Sequence, residues 1–78
     1  MASRYQLIWY NYIAQETRVD YIIAEDEDDA NEIAIMHMAM YVGKDKAEDA
    51  LESLSECDKF YDITRQSVEA YWKKKEGK

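Results

Sequence analysis

The chain has 78 residues, a net charge of −7 and 35% charged side chains, yet 47% of it is hydrophobic, too much for a disordered chain. An acidic balance of this size repels phosphate backbones and anionic headgroups, which argues against direct binding to nucleic acid or to a membrane surface. A lone cysteine, Cys57, excludes an internal disulfide, and no Cys/His cluster has the spacing of a zinc site.

Arg4 to Ile13 is rich in aromatic and β-branched residues. It reads as a strand with large apolar groups on both faces: Tyr5, Leu7, Trp9, Asn11 and Ile13 on one, Arg4, Gln6, Ile8, Tyr10 and Tyr12 on the other. Thr17 to Ala24 alternates more cleanly, with Val19, Tyr21 and Ile23 against Arg18, Asp20 and Ile22, and reads as the return strand of a hairpin. The connection around Ala14 to Glu16 has no Asn-Gly pair, so a loop of about three to five residues is expected.

Ala24 to Val42 organises the rest. Asp26 is the expected N-cap, because its carboxylate can accept from the free N–H groups of the first turn, and Asp29 three residues on completes an imperfect capping box. Glu27, Asp28, Asp29 and Glu32 suit the positive end of the helix dipole. Ala30, Ile33, Ala34, His37, Met38 and Tyr41 form one stripe, while Ile35, Met36, Ala39, Met40 and Val42 leave apolar groups on the other faces. Such a helix needs cover on more than one side. Gly43 then stops it.

A second helix is signalled by Asp45 as N-cap and Glu48 three residues later, with Ala47, Ala50, Leu51 and Leu54 as its apolar stripe. From Cys57 the reading forks. Phe60, Ile63, Ser67 and Tyr71 fit one continuous helix, whereas Lys59 to Ile63 fits a third strand, and the strand is expected. The reason is a fresh helix start, with Ile63 and Val68 as a hydrophobic staple around Thr64 as N-cap, and a helix from Arg65. Glu76 to Lys78 is expected to fray. The expected fold is α+β, with a small antiparallel sheet packed against helices in the order β-β-α-α-β-α, and residues 1–78 forming a single domain.

Little in the chain points to catalysis. His37 falls on the buried stripe and Cys57 reads as a small buried hydrophobe, and nothing in their spacing marks the orienting partner and cleft that a nucleophile or general base needs. Asp26, Asp28 and Asp29 invite a calcium loop, but Ala30 and Asn31 stand where that loop places a ligand and a glycine. No cofactor and no metal is expected. The charge is uneven, however: residues 1–42 carry two basic and eight acidic side chains, residues 43–78 eight and nine. Asp20, Glu25, Asp26, Glu27, Asp28, Asp29 and Glu32 are therefore expected to face a basic protein surface, with Tyr10 and Tyr12 as apolar anchors. The alternative is a homodimer, joined through the long helix or the outer sheet face, whose acidity serves solubility.

The join Ile22-Ile23-Ala24-Glu25-Asp26-Glu27-Asp28-Asp29-Ala30, entered from a hairpin and leading into an Ala/Ile helix, resembles the opening of small β-β-α proteins of phages and mobile elements. The compact acidic ones are similar to anti-CRISPR and anti-restriction inhibitors. The resemblance is one of architecture and covers about the first 42 residues. It implies a non-enzymatic inhibitor in the host cell cytoplasm that occupies a nucleic-acid-binding surface of a host complex. A cytoplasmic protein also fits the lack of a signal-peptide pattern and of any apolar run long enough for a membrane span.

Overall fold

The computed structural model describes residues 2–58 and 60–77. Its elements are β1 (Ser3–Asn11), β2 (Glu16–Ala24), α1 (Glu27–Val42), α2 (Lys44–Ala50), β3 (Leu51–Cys57) and α3 (Arg65–Gly77). The fold is α+β in the expected order, with one antiparallel sheet ordered β2-β1-β3.

The hairpin register pairs Ser3 with Ala24, Leu7 with Asp20 and Asn11 with Glu16. Tyr12–Gln15 make the turn. The side-chain oxygen of Asn11 organises it by accepting from the N–H groups of Ile13 and Ala14, and Gln15 takes a positive φ of 57°.

Tyr5, Leu7, Trp9 and Asn11 point to the helical side and are buried. Trp9 and Leu7 are fully buried, worth roughly 1.5–3 kcal/mol each in transfer free energy. The core joins these to Ile22, Ile33, Met38, Ala47, Ala50, Ile63 and Val68.

α1 starts where its cap requires. Asp26 accepts from the Asp29 N–H at 2.8 Å, and Asp29 in turn accepts from the Glu25 N–H at 2.9 Å, one residue upstream of the usual capping-box partner. Gly43 closes α1 at φ 88°, ψ 157°, a region that glycine alone enters freely, and its N–H donates to Ala39 O. The helix has the two-sided cover that its composition demands. The sheet takes one side, and α3 runs parallel to it on another, tied by Arg65 to Asp29 and Glu32, by Trp72 Nε1–H to Met36 O, and by Lys44 to Glu76.

Two expectations need correction. α2 begins at Lys44 straight after Gly43, without a side-chain cap, and ends at Ala50, so Leu51 and Leu54 belong to β3 and not to a helix. The third strand is therefore Leu51–Cys57, while in the segment expected to form it Ile63 makes a single parallel bridge to Ile22, and Lys59 lies outside the described residues. At the C-terminus, where fraying is expected, Glu76 is placed in the helix and bonds Lys44 at 2.8 Å, whereas Lys78 lies outside the described residues.

The start of α3 follows the sequence. Thr64 Oγ1 accepts from Ser67 N–H, Ser67 Oγ accepts from Thr64 N–H, and the staple residues Ile63 and Val68 are both buried.

Candidate protein-docking site

The acidic residues of α1's first turn share one end of the molecule with the N-terminus of β1 and the C-terminal half of β3. Asp26, Glu27 and Asp28 are exposed there, as is Glu25, whose N–H is taken by Asp29. Tyr5 reports how close these charges lie. Burial, together with the carboxylates of Glu56, Asp26 and Glu27, pushes its hydroxyl pKa above the ordinary value. β3 thus brings Glu56 to the cluster, and Glu52, four residues earlier on the strand, lines a groove with Glu27 and Asp28.

Glu52 and Glu56 were invisible as site residues in the sequence, since they fall where a helix was expected. The detectable signal was the alternation of Ser53, Ser55 and Cys57 against Leu54 and Glu56, seven residues being enough for a strand.

Asp29 and Glu32 sit at the flank of this end and are already engaged. Arg65 donates through Nε and Nη2 to Asp29, through Nη2 to Glu32 at 2.7 Å, and through Nη1 to Glu69 at 3.2 Å. The Glu25 N–H and then Arg65 hold the Asp29 carboxyl below its usual range, and the three carboxylates raise the Arg65 pKa further.

Asp20 is not with the others. It lies on the helical side of β2, half-buried, accepting from Trp9 Nε1–H at 2.8 Å with His37 Nε2 at 3.3 Å. Burial opposes its ionisation, but the bonds from His37 and Trp9, with the charges of His37 and Arg18, outweigh it and lower its pKa. His37 and Tyr41 close the ring, at centroid distances of 6.1 Å and 5.7 Å from Trp9.

Tyr10 and Tyr12 stand apart as well. They make an edge contact of 5.9 Å at the hairpin end, about 23 Å along β1 from Ser3 at ~3.3 Å per residue. Tyr10 belongs to the sheet face turned away from the helices, which holds Arg4, Gln6 and Ile8 of β1, Thr17, Val19, Tyr21 and Ile23 of β2, and Ser53, Ser55 and Cys57 of β3. Arg4 is the one charge among those strand positions. Phe60, two-thirds exposed, leans on Tyr21 at 5.1 Å. Trp72 is turned onto α1 and does not cover this face.

The nine expected residues therefore divide among three places: the acidic end, the Asp20 cluster under α1, and the open sheet face. His37 and Cys57 are on opposite sides of the sheet, Cys57 pairing with Arg4 and sharing its outward face. Among the described residues no group of three or more His, Cys, Asp or Glu side chains converges as a metal site would, and no helix is long and apolar enough to cross a membrane. Comparison with protein families, curated proteins and solved structures returns no match.

Proposed function

We propose that this chain is a non-enzymatic protein-binding module whose acidic end docks on a basic protein surface. In this reading it acts as an inhibitor of the anti-CRISPR or anti-restriction type, setting carboxylates where a host complex would otherwise hold the phosphates of a nucleic acid. The observation that carries the reading is the gathering of carboxylates between α1 and β3: Glu56 is paired with Tyr5 across the sheet, with Asp26 and Glu27 close by, and Glu27, Asp28 and Glu52 line one groove. Attraction between such an end and a basic groove speeds encounter and fixes orientation.

Capture from lysate with the wild type and with a Glu27→Gln/Asp28→Asn/Glu52→Gln/Glu56→Gln variant, at low and high salt, tests it. These four carboxylates are chosen because Asp26 and Asp29 also hold the backbone. Retention of a nucleic-acid-binding protein by the wild type at low salt, lost in the variant, supports docking through this end. Retention indifferent to both salt and charge rejects it.

A second reading, self-association through the outer sheet face, is favoured by the near absence of charge among the strand positions of that face in a chain with 35% charged residues. Sedimentation across a wide concentration range decides it. A monomer throughout would dismiss the dimer.

A further inference from the structure

The two outer strands of the sheet are finished differently. Along β2, Asp62 and Ile63 donate to Tyr21 O and Ile23 donates to Ile63 O, so that edge is partly closed. β3 is the other outer strand, and on its outward side no backbone hydrogen bond is made among the described residues. Beside it runs a groove of about 500 Å³ lined by Glu27, Asp28 and Asn31 of α1 and by Leu51, Glu52, Ser53 and Leu54 of β3. One wall is thus formed by residues of the open outer strand, and the other by the acidic start of a helix.

We propose that this groove receives an extended basic segment of a partner protein, which adds to β3 as a fourth strand. The inference rests on the acidic-end reading and names the form in which a basic partner is bound there. Main-chain hydrogen bonds to the edge would supply affinity, and side chains at alternate positions of the added strand would supply selectivity. Lysine or arginine suits those positions, with the aliphatic stem against Leu51 and Leu54 and the charged head among Glu27, Asp28 and Glu52.

Charge also decides against a second copy as the occupant. Another β3 laid antiparallel and centred on Leu54 would set Glu52 opposite Glu56 twice, and like charges directly opposite destabilise a pair. The same two glutamates, together with the register shift at Ile8/Trp9, guard the edge against its own kind and leave it open to a strand of opposite sign.

The test is an NMR titration of the isotope-labelled protein with an octapeptide of alternating lysine and valine, and with the same peptide N-methylated at every second residue. The second peptide keeps its charge and loses backbone donors. Strand addition predicts shifts and new amide exchange protection along residues 51–57, with the peptide N-methylated on the edge that faces β3 weaker by at least about tenfold, since every donor on that edge is lost. Equal binding by the two peptides, or shifts confined to the first turn of α1, overturns strand addition and leaves charge-driven docking standing. Failure of both peptides to bind overturns it too, while the capture experiment judges docking separately. Protection of β3 that grows with protein concentration and needs no peptide would identify a second copy and reject the proposal.

Discussion

Trp9 and Asp20 meet on the helical face of the hairpin, where the indole Nε1–H donates to the Asp20 Oδ2 at 2.8 Å and His37 Nε2 lies 3.3 Å from the same oxygen. The pairing joins β1, β2 and α1 through one carboxylate. It also explains how a charged residue can occupy a core-facing strand position: burying a carboxylate is tolerable only when its oxygens are bonded.

Asp20 and Asp29 both have depressed pKa values in the folded state. A depressed carboxylate contributes stability that is fully present above its unfolded pKa, about 3.9, and is lost as pH falls through the lower folded value. In urea unfolding, Asp20→Asn should therefore be less stable than the wild type near neutrality, with the gap narrowing below about pH 4. Asp20→Ala, which leaves the Trp9 N–H without its acceptor, should cost about 1–3 kcal/mol. A gap independent of pH would show that Asp20 does not act through its charge.

Gly43 isolates a backbone effect. A Cβ there would meet nothing within 4 Å, yet φ 88° and ψ 157° exclude most L residues. Gly43→Ala should cost about 1–3 kcal/mol without any clash. Thermal unfolding measures it, and an unchanged midpoint would mean that the α1–α2 junction adopts another conformation.

Much of this fold could be read locally. Asp26, Gly43 and the Thr64–Ser67 pair bracket their helices because capping depends on residues a few positions apart, and the α1 and α3 starts follow from them. β3 escaped because of a bulge. Leu51 pairs with Trp9 and Leu54 with Leu7 while Ser53 pairs with Ile8, so Glu52 is the extra residue that returns both leucines to the helical side. A spacing of three then imitates a helix. The site suffered from the same kind of distance: nothing local to Asp20 shows that Trp9 and His37 will claim it, and nothing local to Glu56 shows that it will face Tyr5.

Arg65 tests how α3 is fixed to α1. Its guanidinium is more than a third exposed, so Arg65→Met should cost no more than about 1 kcal/mol despite its three carboxylate partners. The Asp29 carboxyl should titrate higher in this variant while staying below the ordinary range, because the Glu25 N–H still donates to it. A return to the ordinary value, followed by carboxyl NMR, would contradict the leading role of that backbone bond.

Thr64→Ala removes the oxygen that accepts from Ser67 N–H and should destabilise the chain by about 1 kcal/mol. Equilibrium unfolding reads the loss directly. Thr64→Ser, which keeps the acceptor, should recover most of it, and a Ser variant as unstable as Ala would point to the lost methyl group instead of the cap.

The central claim is that the acidic end occupies a surface that a nucleic acid would otherwise hold. Its most direct measurement is competition on a captured nucleic-acid-binding partner, in which this chain and the partner's nucleic acid are titrated against one another at constant salt. Mutual displacement, weakened when Glu27, Asp28, Glu52 and Glu56 are neutralised together, is the predicted result. A ternary complex in which each binds with unaltered affinity would contradict it.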